Sequence, residues 1–157
     1  MEKNNNKKSN LENQEQWLKW NPSKLPEGDY TVISFTQDLE GTKIILENEK
    51  NIVKVFFDGI ILLARISDEG MRIQTVGEIL YKKCDDYFFR GWFLYRIENS
   101  KLSDWVTEES GGIYNSSELI HICIVTDENV IDIISTFEPE IEITPIEQPK
   151  KCSELRS

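Results

Sequence analysis

Residues 104–147 read DWVTEESGGIYNSSELIHICIVTDENVIDIISTFEPEIEITPIE, and the fold class follows from this stretch. Residues 119–126 and 130–135 are β-branched, apolar runs joined by the polar turn Asp127-Glu128-Asn129, the pattern of an antiparallel hairpin. Asp132 interrupts the second run and, by the alternation of side chains along a strand, points away from Ile131 and Ile133. Upstream, Asn99 or Ser100 caps a short helix over residues 101–109, with Leu102, Trp105 and Val106 on one apolar face. Gly111 and Gly112 end that helix by supplying positive φ. Pro139 reads as the end of the ladder, because proline cannot donate to it.

The same stretch holds eleven carboxylates and no Lys or Arg, whereas residues 1–103 carry sixteen acids and fifteen bases. Nearly all of the formal net charge of -10 is therefore concentrated here. Glu108 and Glu109 would lie at the negative end of the helix dipole, and Asp127 and Glu128 at a hairpin tip. Ordinary surfaces intersperse the two signs, so a one-sign surface suggests steering of a cationic partner. It also argues against nucleic acid and anionic membranes as partners.

Working outward, residues 30–35, 42–46, 52–57 and 60–66 read as four successive strands. Asp58-Gly59 is placed as a tight hairpin turn, so an antiparallel meander is expected. Residues 68–83 are ambiguous: Ile73, Val76, Ile79 and Leu80 have helical spacing, but Gly77 costs about 1 kcal/mol in a helix interior. A loop with a short helix or strand is the expectation there. The aromatic run 87–97 is expected to be one strand with a bulge at Gly91. Trp17 and Trp20, in a polar lead-in, suggest a segment that docks onto the core. The fold class is thus α+β: a mainly antiparallel sheet of about six to eight strands, as a curled sheet, barrel or sandwich, with one short helix. Residues 1–16 are expected to be a disordered tail, 17–143 a single globular domain, and 144–157 a loose tail.

The chemistry-bearing motifs are few. No apolar run is long enough for a leader or a membrane span, so a cytoplasmic protein is expected. Cys84, Cys123 and Cys152 show no metal spacing and no even pairing. The one histidine, His121, is flanked by isoleucines and reads as a packed, hydrogen-bonded side chain, with a functional role as the alternative. Ser110 lacks the context of a nucleophile elbow, and Asp127-Glu128-Asn129 lacks the spacing of a calcium loop. The expectation is no enzyme, no cofactor, no metal and no catalytic residue.

Residues 100–142 contain a Ser-then-Trp helix (Ser100, Trp105), a Ser-Gly-Ile-Tyr turn (Ser110, Ile113, Tyr114, with the glycine doubled), His121 in the next strand, and Ile131-Asp132 before Pro139. In these features the chain resembles a family of small bacterial proteins, mostly Gram-positive, that carries no assigned activity. Such small acidic families are similar in size and charge to immunity proteins. That analogy, the one-sign charge and the missing catalytic machinery together lead to the expectation of an immunity-type inhibitor of a basic protein toxin, bound through Glu108, Glu109, Asp127, Glu128 and Asp132. The alternative is a small-molecule-binding β domain whose aromatic-lined pocket uses Trp92, Tyr95 and His121.

Overall fold

The computed structural model describes residues 13–149. Among these described residues nine strands form two antiparallel sheets, with two α-helices and no closed barrel. The four-stranded sheet comprises β2 (Thr31–Asp38), β3 (Gly41–Glu47), β4 (Asn51–Phe57) and β9 (Glu140–Pro145), in that order. The five-stranded sheet contains β1 (Gln16–Lys19), β6 (Leu94–Glu98), β7 (Ile120–Val125), β8 (Asn129–Ser135) and β5 (Leu63–Asp68), in the order β1-β6-β7-β8-β5. A 3-10 turn at Glu69–Arg72 leads into α1 (Ile73–Lys83), and α2 is Lys101–Glu109.

One core joins the sheets. Ile44, Leu46, Val53, Val55 and Phe57 are the inward positions of β3 and β4, and all are fully buried. They share a cluster with Ile122, Ile124, Ile131 and Ile133 of β7 and β8. At roughly 1.5–3 kcal/mol for each large apolar side chain, this cluster is the main driving force for folding. The central strands β7 and β8 of the five-stranded sheet are buried on both faces. The sheet's second face carries Tyr95, His121, Cys123 and Asp132, all buried, where a half-polar pattern would normally face water.

The meander is real for β2, β3 and β4 and stops there. Gly59 adopts φ 137, Leu62 N–H donates to Ile134 O at 2.9 Å, and β5 pairs with β8 in the other sheet. The expected Asp58-Gly59 hairpin is therefore a crossing between sheets. The edge of β4 is occupied instead by β9, with Val55 opposite Ile141 and Val53 opposite Ile143. Strand β8 ends at Ser135, and Pro139 does not end the ladder, because the alternating Ile141 and Ile143 form β9 directly beyond it. Pro145 is tolerated at the last position of this edge strand.

Two further expectations change. Residues 73–83 are helical despite Gly77, which is exposed with nothing near its Cβ position. The aromatic run is a strand only from Leu94; Gly91 takes φ 68 within a turn. That turn stacks Phe88 and Phe89 against Tyr95 at 5.5 and 5.2 Å between ring centroids, a gain the extended form would forgo. Trp17 is buried in β1 against Phe89 and Tyr95, so the lead-in packs onto the core. Strand β1 begins at Gln16 and β9 reaches Pro145, so ordered structure extends past both ends of residues 17–143; residues 1–12 and 150–157, including Cys152, lie outside the described residues.

Candidate functional site

The second face of the five-stranded sheet holds a buried polar chain. Ser100, the last residue before α2, is its N-cap, and Ser100 Oγ accepts the Ser103 N–H at 3.1 Å. Ser100 Oγ also lies 2.6 Å from His121 Nδ1, and His121 Nε2 lies 2.8 Å from Asp132 Oδ1. An ionised carboxylate only accepts, so Nε2 carries the proton towards Asp132. With a neutral ring, Nδ1 then accepts from the Ser100 hydroxyl, and every bond runs in one direction from the Ser103 amide to the carboxylate.

Asp132 is fully buried and its other oxygen is held by two guanidinium groups. Arg65, its cross-strand partner on β5, contacts Oδ2 through Nε at 2.9 Å and Nη2 at 2.8 Å. Arg72, at the end of the 3-10 turn, contacts Oδ2 through Nη1 at 2.6 Å. Burial by itself raises the Asp132 carboxyl, but the hydrogen bond from His121, then the hydrogen bond and charge of Arg72, outweigh it and hold the group well below the usual carboxylate range. Cys123, the register partner of Asp132 on β7, has its thiol pushed well up, by burial first and then by the neighbouring carboxylate.

Serine, histidine and aspartate in series suggest a nucleophile relay, but the geometry points to a clamp. The Ser100 oxygen is committed as a helix cap, and the residue is 4% exposed. Two arginines stabilise the Asp132 charge, which weakens its support of a protonated imidazole. The chain ties the start of α2 and the start of α1 to β5, β7 and β8.

Above this clamp an open groove of about 850 Å³ runs between α1 and α2. Arg65, Arg72 and His121 line its floor, with Thr75 on one wall and Leu102 and Trp105 on the other. Trp105 is 50% exposed, so it is a rim residue and does not share the burial of Val106 as the helical spacing suggests. Glu108 and Glu109 follow it at i+3 and i+4, on the same face of α2, and both are exposed.

The five acidic residues singled out in the sequence therefore separate. Glu108 and Glu109 sit on the last turn of α2, and Asp127 and Glu128 form the exposed tip of the β7–β8 hairpin. Among the described residues none of these four carboxylates forms an ion pair. Asp132 is buried and cannot meet a partner; its position between isoleucines is explained by the arginines that cover it. Glu138 and Glu142 are paired, with Arg96 and Lys54 respectively, both at 2.7 Å.

Trp92, Tyr95 and His121 do not share a pocket. Trp92 is buried, donates Nε1–H to Leu94 O at 2.6 Å, and borders a separate cavity of about 210 Å³. Tyr95 is fully buried, and its hydroxyl proton is shared between Phe88 O and Trp92 O, both at 3.2 Å. Only His121 reaches the groove. Ser100 was legible as a candidate helix cap but not as a partner of His121, and Arg65 and Arg72 were not identifiable from local pattern; the one available signal was a charged residue in each of two otherwise apolar strands. Among the described residues no helix is long and apolar enough to cross a membrane, and no cluster of His, Cys, Asp or Glu is placed to hold a metal ion. No family model matches the chain, and no curated protein or solved structure matches it significantly.

Proposed function

We propose that this chain is a non-enzymatic, cytoplasmic binding protein of the immunity type, which inhibits a basic protein toxin through α2. The observation that carries this reading is the half-exposed Trp105 with Glu108 and Glu109 beside it on one helical face, forming no ion pair among the described residues. An exposed tryptophan is a common anchor of a protein interface, and two adjacent carboxylates favour a partner that presents Lys or Arg. A cation placed there would also gain from the indole face. It would neutralise two charges that the end of the helix dipole disfavours. Asp127 and Glu128 would add steering charge from the hairpin tip. The resemblance of residues 100–142 to small Gram-positive bacterial proteins supports the same reading.

The test is titration of the protein with a basic toxin domain encoded beside its gene. Affinity should fall at least ~10-fold between about 50 and about 500 mM salt, where screening shortens from more than 10 Å to a few ångströms. Trp105→Ala and the double charge reversal E108K/E109K should each weaken binding by a similar factor or more. An affinity indifferent to salt and to E108K/E109K would sink the proposal.

A further inference from the structure

The groove floor carries more positive charge than its buried carboxylate can balance. One Asp132 carboxylate faces both Arg65 and Arg72, and with His121 neutral the cluster retains one positive charge. Arg72 is nearly enclosed, whereas the Arg65 side chain is 46% exposed. Arg65 spends Nε and Nη2 on Asp132, and its Nη1 makes no hydrogen bond among the described residues. Around that floor Lys101 adds a cation and Glu15 and Glu78 add two carboxylates, so the lining as a whole is close to neutral and the positive charge is local to the floor. Glu15 already accepts from Trp17 Nε1 and from the Lys101 N–H. Glu78, exposed on α1, forms no ion pair among the described residues. In a chain of formal net charge -10 this is a neutral patch with an exposed guanidinium at its floor, set in a concave surface where a charge is less screened than on open ground.

Part of the remaining wall is apolar. Leu63, Leu102 and Trp105 line the same groove, and about 850 Å³ lies within the range of small-molecule sites. We propose that the groove binds a small amphipathic carboxylate, its head on the free edge of the Arg65 guanidinium and its apolar body against Leu102 and Trp105. A planar guanidinium edge matches a carboxylate in shape and charge. A single exposed guanidinium edge suits a monoanion better than a phosphate dianion. The inference shares Trp105 with the toxin-binding proposal but does not rest on it, because the head group is held by Arg65, outside the Glu108–Glu109 face.

The experiment is calorimetric titration of the full chain with 4-phenylbutyrate and with decanoate, and with the corresponding neutral amides. Saturable binding of at least one carboxylate below ~1 mM is expected, with its amide at least ~10-fold weaker. Arg65→Gln should remove that preference and Arg65→Lys should keep part of it. Arg72 still holds Asp132 in both variants, and a thermal melt checks that each remains folded. Thr75→Trp, which fills the groove from α1 and leaves Arg65 intact, should abolish binding. No saturation by either carboxylate up to ~5 mM, equal affinity for acid and amide, or binding unchanged in Arg65→Gln would each overturn the proposal.

Discussion

Asp132 shows how much one buried side chain can decide. A carboxylate with no exposed surface survives because His121, Arg65 and Arg72 together satisfy it, and removing it leaves Arg72 enclosed without a counter-charge. Asp132→Ala should therefore destabilise the chain by about 3–5 kcal/mol in urea unfolding, the range for breaking a buried ion pair from one side. The sign of the pH dependence follows from the direction of its shift. The folded carboxyl titrates below its unfolded value, so its contribution is complete above about pH 4 and is lost as pH falls towards the folded value. Wild-type stability should fall steeply below about pH 4, and Asp132→Asn should flatten that part of the curve. A variant with the wild-type acid limb would show that other carboxylates dominate.

Ser100 provides a second test at this scale. As a cap and clamp residue, it should lose about 1–2 kcal/mol of stability on replacement by Ala. It should also remain unlabelled by a fluorophosphonate probe under native conditions. Labelling at Ser100 would convert the clamp into a nucleophile and refute the non-enzymatic reading.

At the scale of the element, α2 and the β2–β3 hairpin make opposite use of glycine. Gly111 and Gly112 adopt φ 66 and 84 beyond α2, where Gly112 N–H closes onto Thr107 O at 3.0 Å. Both have open space around the Cβ position, so a substitution there meets backbone strain alone. Gly41, at φ 138, is different: an added Cβ would lie 2.1 Å from Phe57 O. Gly41→Ala should consequently separate β3 from β4 and lower the midpoint of thermal unfolding far more than Gly112→Ala, a comparison readable in parallel melts. Tyr95→Phe should cost about 1 kcal/mol, because it frees the carbonyls of Phe88 and Trp92 that hold the aromatic turn against the sheet. Part of this level was legible in the sequence. The bounds of α2 and its Ser100 cap followed from spacing and capping residues, and the β7–β8 hairpin from two β-branched runs. Helix α1 was obscured because Gly77 lowers local propensity, while Ile79, docked in the core, restores the balance through packing.

For the whole molecule, the decisive connection is β9. It returns from the far end of the chain to cover the edge of β4 and places Ile141 and Ile143 over Val55 and Val53. A truncation after Pro139 should expose that edge and lose cooperative unfolding, visible as a broadened or missing urea transition. A sharp, wild-type transition would show that the sheet stands without its fourth strand. The α+β class, the strand-rich pattern, the α2 cap and the uneven charge were determined by the sequence alone, because each depends on residues a few positions apart. Only the tertiary structure decided that the chain leaves one sheet at Gly59 and returns after Pro139. It also brought Arg65, Arg72, Ser100, His121 and Asp132 together around one charge. These contacts join residues up to 67 positions apart. They are selected by burial and the satisfaction of buried polar groups across two sheets, which local propensity does not register.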